Sequence, residues 1–233
     1  MTTTFPFENW DFKTRSILSG LSKADELILT AHRTEHVYKT GEIIFHEGGL
    51  PQGIFFIING KVKKYKATAE GREQIIYVAN SGELIGYHAV LAEGRYPDSA
   101  ATLETSKIAF IPKEDFLQVL EQSSLLGRRL VKILSHEFAV MANSIVNIAG
   151  KSVRERLALE LVVLNEKYTV NARQETIAEI NMGREDLANL VGTARENVVR
   201  ILGDFKQEGL LETKGRKIII KDVARLIKVA NYQ

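Results

Sequence analysis

The sequence predicts an α+β fold: an antiparallel β-roll first, then a long helix, then a small helical module closed by a β-hairpin. Three segments of different pattern carry that prediction. Residues 34–111 hold short β-branched and aromatic runs separated by turns. Residues 113–149 switch to a helical period. Residues 184–220 combine two short amphipathic stretches, a glycine between them, and a basic turn followed by a strand.

The β segment comes first. Glu42–Phe45, Ile54–Ile58, Lys61–Lys66, Ile75–Val78 and Ile108–Ile111 read as strands. Glycines at 49, 60, 71 and 82 recur every eleven residues. That interval suits one strand plus one turn of a rolled antiparallel sheet. A generic small β-barrel accounts for most of the same pattern.

Pro112 followed by Lys113-Glu114-Asp115 marks a helix start. Val131, Leu134, Phe138, Met141, Ile145 and Ile148 then alternate spacings of three and four. This seven-residue repeat predicts a seam that pairs with a second copy. The other reading is a helix packed within one subunit, for which Leu126, Leu130 and Ile133 supply a second stripe. Gly150-Lys151 ends the helix, and Ser152-Val153-Arg154-Glu155 has the S-x-x-E form of a capping box. A domain boundary falls there.

Residues 184–206, REDLANLVGTARENVVRILGDFK, are the most informative stretch. Leu187, Leu190 and Val191 form a short apolar face, and Gly192 breaks it. Thr193 is expected to cap the next helix, whose stripe is Val198, Ile201, Leu202 and Phe205. Arg195, Glu196, Asn197 and Arg200 lie on the other side. A short helix, a tight turn and a second helix with Arg and Glu at its start is how a helix-turn-helix presents side chains to base edges in a major groove. Two amphipathic helices joined by a glycine also occur in many all-α segments, so the flanks matter. Lys214-Gly215-Arg216-Lys217 forms a basic turn leading into Ile218–Ile220, a wing suited to a phosphate backbone.

The whole chain bounds these readings. Its 233 residues allow one large or two small domains. From Arg184 onward there are ten basic and seven acidic residues, against 21 and 22 in the rest, so the positive surplus lies in the C-terminal part. No cysteine is present, which excludes disulfides and cysteine-ligated metal. The first twelve residues, MTTTFPFENWDF, lack the pattern of a signal peptide, and no apolar run reaches membrane-spanning length. A reducing cytoplasm is the expected compartment.

In order, these pieces resemble the Crp–Fnr family of bacterial transcription regulators, and the resemblance covers nearly all of the chain. GEIIFHEG (41–48), FIINGKVKKY (56–65), GELIG (82–86) and DSAATLE (98–104) are similar to the family's β-roll, a cyclic-nucleotide-binding type of domain. SVRERLALEL (152–161) and GTARENVVRIL (192–202) are similar to its DNA-binding module. The resemblance implies a β-roll effector domain with N-terminal helices over 1–112. It implies a connector and dimerisation helix over 113–150 and a winged helix-turn-helix over 151–233. It also implies a homodimer on a pseudo-palindromic duplex with GTGA-like half-sites. A small molecule held in the β-roll would re-aim the two reading helices. Arg195, Glu196 and Arg200 match the family's base-reading positions, and Arg184 a backbone-contacting arginine. Thr193, Asn197, Lys214, Arg216 and Lys217 complete the expected interface. Activation would bring in RNA polymerase as a further partner, and no segment is identified as its contact surface.

Departures from the family pattern bear on the effector. Cyclic-AMP-responsive members carry Glu where Tyr87 stands and Arg where Asp98 stands; only Ser99 is kept. Met141 and Ala142 replace the Thr-Ser pair that meets the adenine. Asp98 would repel a cyclic phosphate, so cyclic AMP is not expected to bind. The oxygen-sensing branch needs cysteines for an iron–sulfur cluster, which this chain lacks, and no cofactor is expected. A pocket bounded by Tyr87, His88, Asp98, Ser99, Met141 and Ala142 would suit a less anionic, more hydrophobic effector; otherwise its own side chains fill it. Two other readings stay open. A cupin-like barrel enzyme would need clustered ligands, yet His46, Glu47 and His88 form no His-x-His pair, and His32 and His36, four apart with Glu35 between, are a lone pair at helical spacing of the kind found on surfaces. An effector-binding module without a regulatory role is opposed by the intact Arg195, Glu196 and Arg200. No metal site and no catalytic constellation stand out.

Overall fold

The computed structural model describes residues 5–6, 16–69, 71–169 and 178–231. The reading of the first twelve residues therefore lies, apart from Phe5 and Pro6, outside the described residues. Among the described residues, no helix is long and apolar enough to cross a membrane. Two compact units divide them: one ends at Glu137, and the other takes the chain from Phe138 onward together with Phe5 and Pro6.

In the first unit, helix α1 (Lys23–Ala31) precedes strands β1 (Thr34–Tyr38), β2 (Ile43–Phe45), β3 (Gly53–Asn59), β4 (Lys61–Ala67), β5 (Glu73–Asn80) and β6 (Leu84–Ile85). A one-and-a-half-turn helix, α2 (Tyr87–Leu91), is followed by β7 (Ser99–Thr102) and β8 (Ser106–Pro112). The strands form two four-stranded sheets with orders β1-β8-β3-β6 and β2-β7-β4-β5. Every strand pairing in them is antiparallel. This is the rolled sheet expected, and its core includes Ile54, Ile57, Val62, Ile108 and Ile111, all fully buried. Three of the four regularly spaced glycines, Gly60, Gly71 and Gly82, take positive φ; at the first turn Gly48 does so in place of Gly49. At Gly60 the requirement is double. Its φ is +104°, and a Cβ would stand 2.1 Å from the Ser106 hydroxyl.

The sequence reading left β1, β6, β7 and α2 without periodic signals. β6 has only two residues. β7 is Ser-Ala-Ala-Thr and buried throughout, so no polar–apolar alternation marks it. His36 lies on β1 and His32 at the end of α1, so their spacing of four is not that of one helix.

Helix α3 (Lys113–Gln122) starts after Pro112, which occupies the N-cap position. α4 (Ser124–Gly150) follows after Ser123, a break that the helical period did not announce. Both stripes of α4 exist, on different faces. Leu126, Leu130 and Ile133 are buried in the first unit. Val131, Phe138, Met141, Ile145 and Ile148 are exposed, Phe138 by 74 %, and Leu134 is half-buried.

The second unit continues from α4. The capping box forms as the sequence predicts: the Ser152 N–H donates to the Glu155 carboxylate at 2.8 Å, and the Glu155 N–H reaches the Ser152 hydroxyl at 3.3 Å. Helix α5 (Val153–Thr169) starts there and buries Leu157, Leu161 and Leu164. After it come β9 (Glu179–Asn181), α6 (Arg184–Val191), α7 (Arg195–Gln207), the hairpin β10 (Leu211–Lys214) and β11 (Lys217–Ile220), and α8 (Val223–Val229). The sheet order is β10-β11-β9. β9 went unforeseen because three residues hold no detectable period.

Candidate nucleic-acid interface and effector site

The turn between α6 and α7 is built from backbone bonds. Gly192 has φ +72°, and the N–H groups of Gly192 and Thr193 both donate to the Ala188 carbonyl, at 2.9 and 3.1 Å. This closes α6 with a left-handed residue, where glycine carries no steric penalty. The expected cap is corrected here. Ala194, not Thr193, holds the N-cap position of α7, and no side chain caps it. Thr193 is spent on ending α6, while its hydroxyl accepts from the Asn197 amide at 3.1 Å. Arg156 of α5 braces the same turn. Its guanidinium donates to the carbonyls of Val191 (2.9 Å), Gly192 (3.1 Å) and Lys151 (2.8 Å). No periodicity could single out Arg156, which lies among several charged residues of α5.

α7 buries Val198, Ile201, Leu202 and Phe205. Arg195, Glu196 and Arg200 are exposed; the Arg200 guanidinium lies 3.6 Å from Asp204 one turn on. Asn197 is half-buried and turned to Thr193. Arg184, at the start of α6, is half-buried and donates to the carbonyls of Gly215 (3.1 Å) and Arg216 (3.3 Å) in the wing turn. Lys214, Arg216 and Lys217 are exposed on the hairpin, where Lys217 is paired with Glu179 of β9. The basic wing is therefore carried mainly by Lys214 and Arg216.

In the first unit, the interior position between β4, α2 and the start of β7 holds a polar cluster. Tyr87, fully buried, donates its hydroxyl to Glu137 at 3.0 Å. His88 Nε2 lies 3.0 Å from the same carboxylate, and its ring stacks on Tyr87. Lys64 Nζ donates to Glu137 at 2.9 Å and lies 3.6 Å from Asp98. Lys64, Asp98 and Glu137 are all buried. Burial opposes ionisation of Glu137, but the bonds from His88 and Lys64 outweigh it and hold the pKa down at about 2. Burial pushes Asp98 up, against the pull of Lys64 and His88. Tyr87 is pushed up by burial and then by Glu137, so it remains a donor. Ser99 is buried and accepts the Glu47 N–H at 2.9 Å. Met141 and Ala142 belong to the second unit and are exposed.

Two expectations change. Asp98 is not an isolated repelling anion, because Lys64 stands beside it. Lys64 and Glu137 complete the cluster, yet the sequence reading passed over both. Lys64 lay within a run of strand lysines, and Glu137 looked like a polar residue beside the seam. A bound phosphate calls for an uncommitted cation, and Lys64 is already held by two carboxylates. Among the described residues, no group of three or more His, Asp or Glu is placed to hold a metal.

A β-roll, a long helix and a winged helix-turn-helix on one chain define a DNA-binding regulator. Residues 35–123 match the cyclic nucleotide-binding domain, and residues 155–229 match the Crp-like helix-turn-helix domain. The transcriptional activator protein anr of Pseudomonas aeruginosa is 30% identical over 195 residues, 84% of this chain and 80% of that protein. The fumarate and nitrate reduction regulatory protein of Escherichia coli is 28% identical over 208 residues, 89% of this chain and 82% of that one. This chain belongs to the Crp/Fnr family of transcription regulators. Its relatives are regulators, not enzymes. Among solved structures, FixK2 of Bradyrhizobium japonicum shares the fold with a TM-score of 0.73 at 21% identity, over 84% of this chain and 96% of that one. The regulator CLP of Xanthomonas campestris, described as c-di-GMP responsive, gives 0.71 at 24% identity, over 85% and 99%.

The cluster makes stability depend on acid in a defined way. Glu137 has its folded pKa depressed from 4.5 to about 2. Its contribution is present above about pH 4.5 and is lost as pH falls toward 2. Asp98, shifted upward, has the opposite sign. Glu137→Gln leaves Lys64 buried without its main partner and should cost about 3–5 kcal/mol at neutral pH. Urea titrations of wild type and variant from pH 7 to pH 3 should show this gap narrowing with acid. A gap independent of pH would remove Glu137 as the titrating group.

Proposed function

We propose that this chain is a homodimeric, sequence-specific transcription regulator that reads a pseudo-palindromic site and does not respond to cyclic AMP. The observation that carries the reading is the exposed trio Arg195, Glu196 and Arg200 on α7, over a buried stripe that fixes the helix. Arg donates to guanine O6 and N7, and Glu accepts from cytosine N4. Arg184 holds the wing turn against the start of α6, where Lys214 and Arg216 face phosphate. In functional terms the chain divides into an effector part (1–112), a connector and dimer helix (113–150) and a DNA-binding part (151–233).

Arg195→Ala or Arg200→Ala should each weaken binding to the selected operator by about 1–3 kcal/mol and relax the preference at one G·C pair. Binding measured on operator and on random duplex separates the cases. Equal losses on both would make these residues phosphate contacts and overturn the base-reading role.

Dimerisation is supported by the exposed stripe Val131, Phe138, Met141, Ile145 and Ile148. Exposed apolar residues on a seven-residue repeat match a self-pairing seam. Phe138→Glu would place like charges across the two-fold axis. Light scattering should then give the monomer mass, with operator binding lost. A variant that remains dimeric would place the interface elsewhere.

Cyclic AMP is disfavoured because Lys64, Tyr87, His88, Asp98 and Glu137 satisfy one another in the β-roll. Isothermal titration with cyclic AMP and cyclic GMP should show no micromolar binding. Heat of binding in that range would mean that the cluster opens, and the reading would fail.

A further inference from the structure

On the reading face of α7 one side chain is out of character. Val199 is 47 % exposed. Single exposed apolar residues are common on protein surfaces, so position decides whether this one matters. At 3.6 residues per turn, Val199 projects at about 40° from Arg195, between it and Glu196 at about 100°. It therefore sits inside the arc of residues that point outward. Asn197 lies off that arc and is occupied with Thr193. One turn beyond Val199 is Gly203, where a Cβ would meet nothing within 4 Å. The surface around Val199 is thus open, with no neighbouring side chain on Gly203 to cover it. A β-branched residue is also a weaker helix former than Lys, Glu or Gln. Neither solvation nor helix propensity accounts for valine here.

We infer that Val199 is a specificity-determining residue that packs on the C5-methyl group of a thymine in each half-site. The inference rests on the base-reading role of Arg195, Glu196 and Arg200 and adds a fourth member of different chemistry. Those three discriminate by hydrogen bonds. Val199 has none to offer, and the thymine methyl is the apolar feature of the major groove. The contact selects T·A over C·G at one position by surface burial.

The methyl group can be removed without altering the protein. An operator is selected from random duplexes by the full-length wild type, and each thymine is replaced in turn, in both half-sites, by deoxyuridine. At one thymine per half-site the wild type should lose about fourfold per half-site, the burial of one methyl, and about fifteenfold for the symmetric replacement. Val199→Ser should bind the thymine and uracil forms alike. Val199→Thr, which keeps a methyl on the same branched frame, should retain part of the difference. A wild type indifferent to every replacement overturns the inference while leaving the Arg and Glu contacts intact. A Val199→Ser protein with the full wild-type loss does the same. If no sequence is enriched at all, the base-reading role itself fails, and the role of Val199 goes with it.

Discussion

The Lys64–Glu137 pair is the constraint on which the β-roll's interior depends. Both groups are buried, and each would be costly to leave alone in a medium of low polarity. Glu137 accepts from Lys64 and Tyr87 and lies within hydrogen-bond distance of His88. One carboxylate thus joins a central strand, the short helix α2 and the long helix α4. Such a cluster adds little stability over a well-packed apolar one, but breaking a single member is expensive. It fixes which side chains share the interior and commits the Lys64 ammonium to two carboxylates.

Departure from the family's ligand pattern is therefore more than the loss of two residues. With Asp98 in place of an arginine, the charge balance of the interior is inverted, and Lys64 answers it from the neighbouring strand. Electrostatic repulsion reckoned from Asp98 alone leaves out Lys64, which lies 3.6 Å from it. Repulsion is softened by Lys64, and the paired side chains of the cluster occupy the space beside it.

Legibility in the sequence followed the length of the signal. The long helix, the capping box at Ser152 and the glycine turn before α7 each rest on several residues at fixed spacing, and each formed. β6, β9 and α2 are too short for a period to emerge, and β7 is buried on both faces. Within the candidate interface, Arg195, Glu196 and Arg200 are outward-facing because the stripe beneath them is long and strict. Thr193 was misjudged as a cap because its backbone answers to the turn, while its hydroxyl accepts from Asn197. Arg156, Lys64 and Glu137 act through partners 35, 73 and 50 residues away in sequence. No local pattern encodes contacts of that range.

Arg156 has a thermodynamic consequence. Two of its three bonds to main-chain carbonyls, those to Val191 and Gly192, hold the turn between α6 and α7 before any duplex arrives. The ordering entropy of that turn belongs to folding and not to binding. Association with DNA then proceeds on a surface whose backbone is already set. The heat-capacity change of binding should accordingly scale with the area buried at the groove, without the added increment that marks segments folding as they bind.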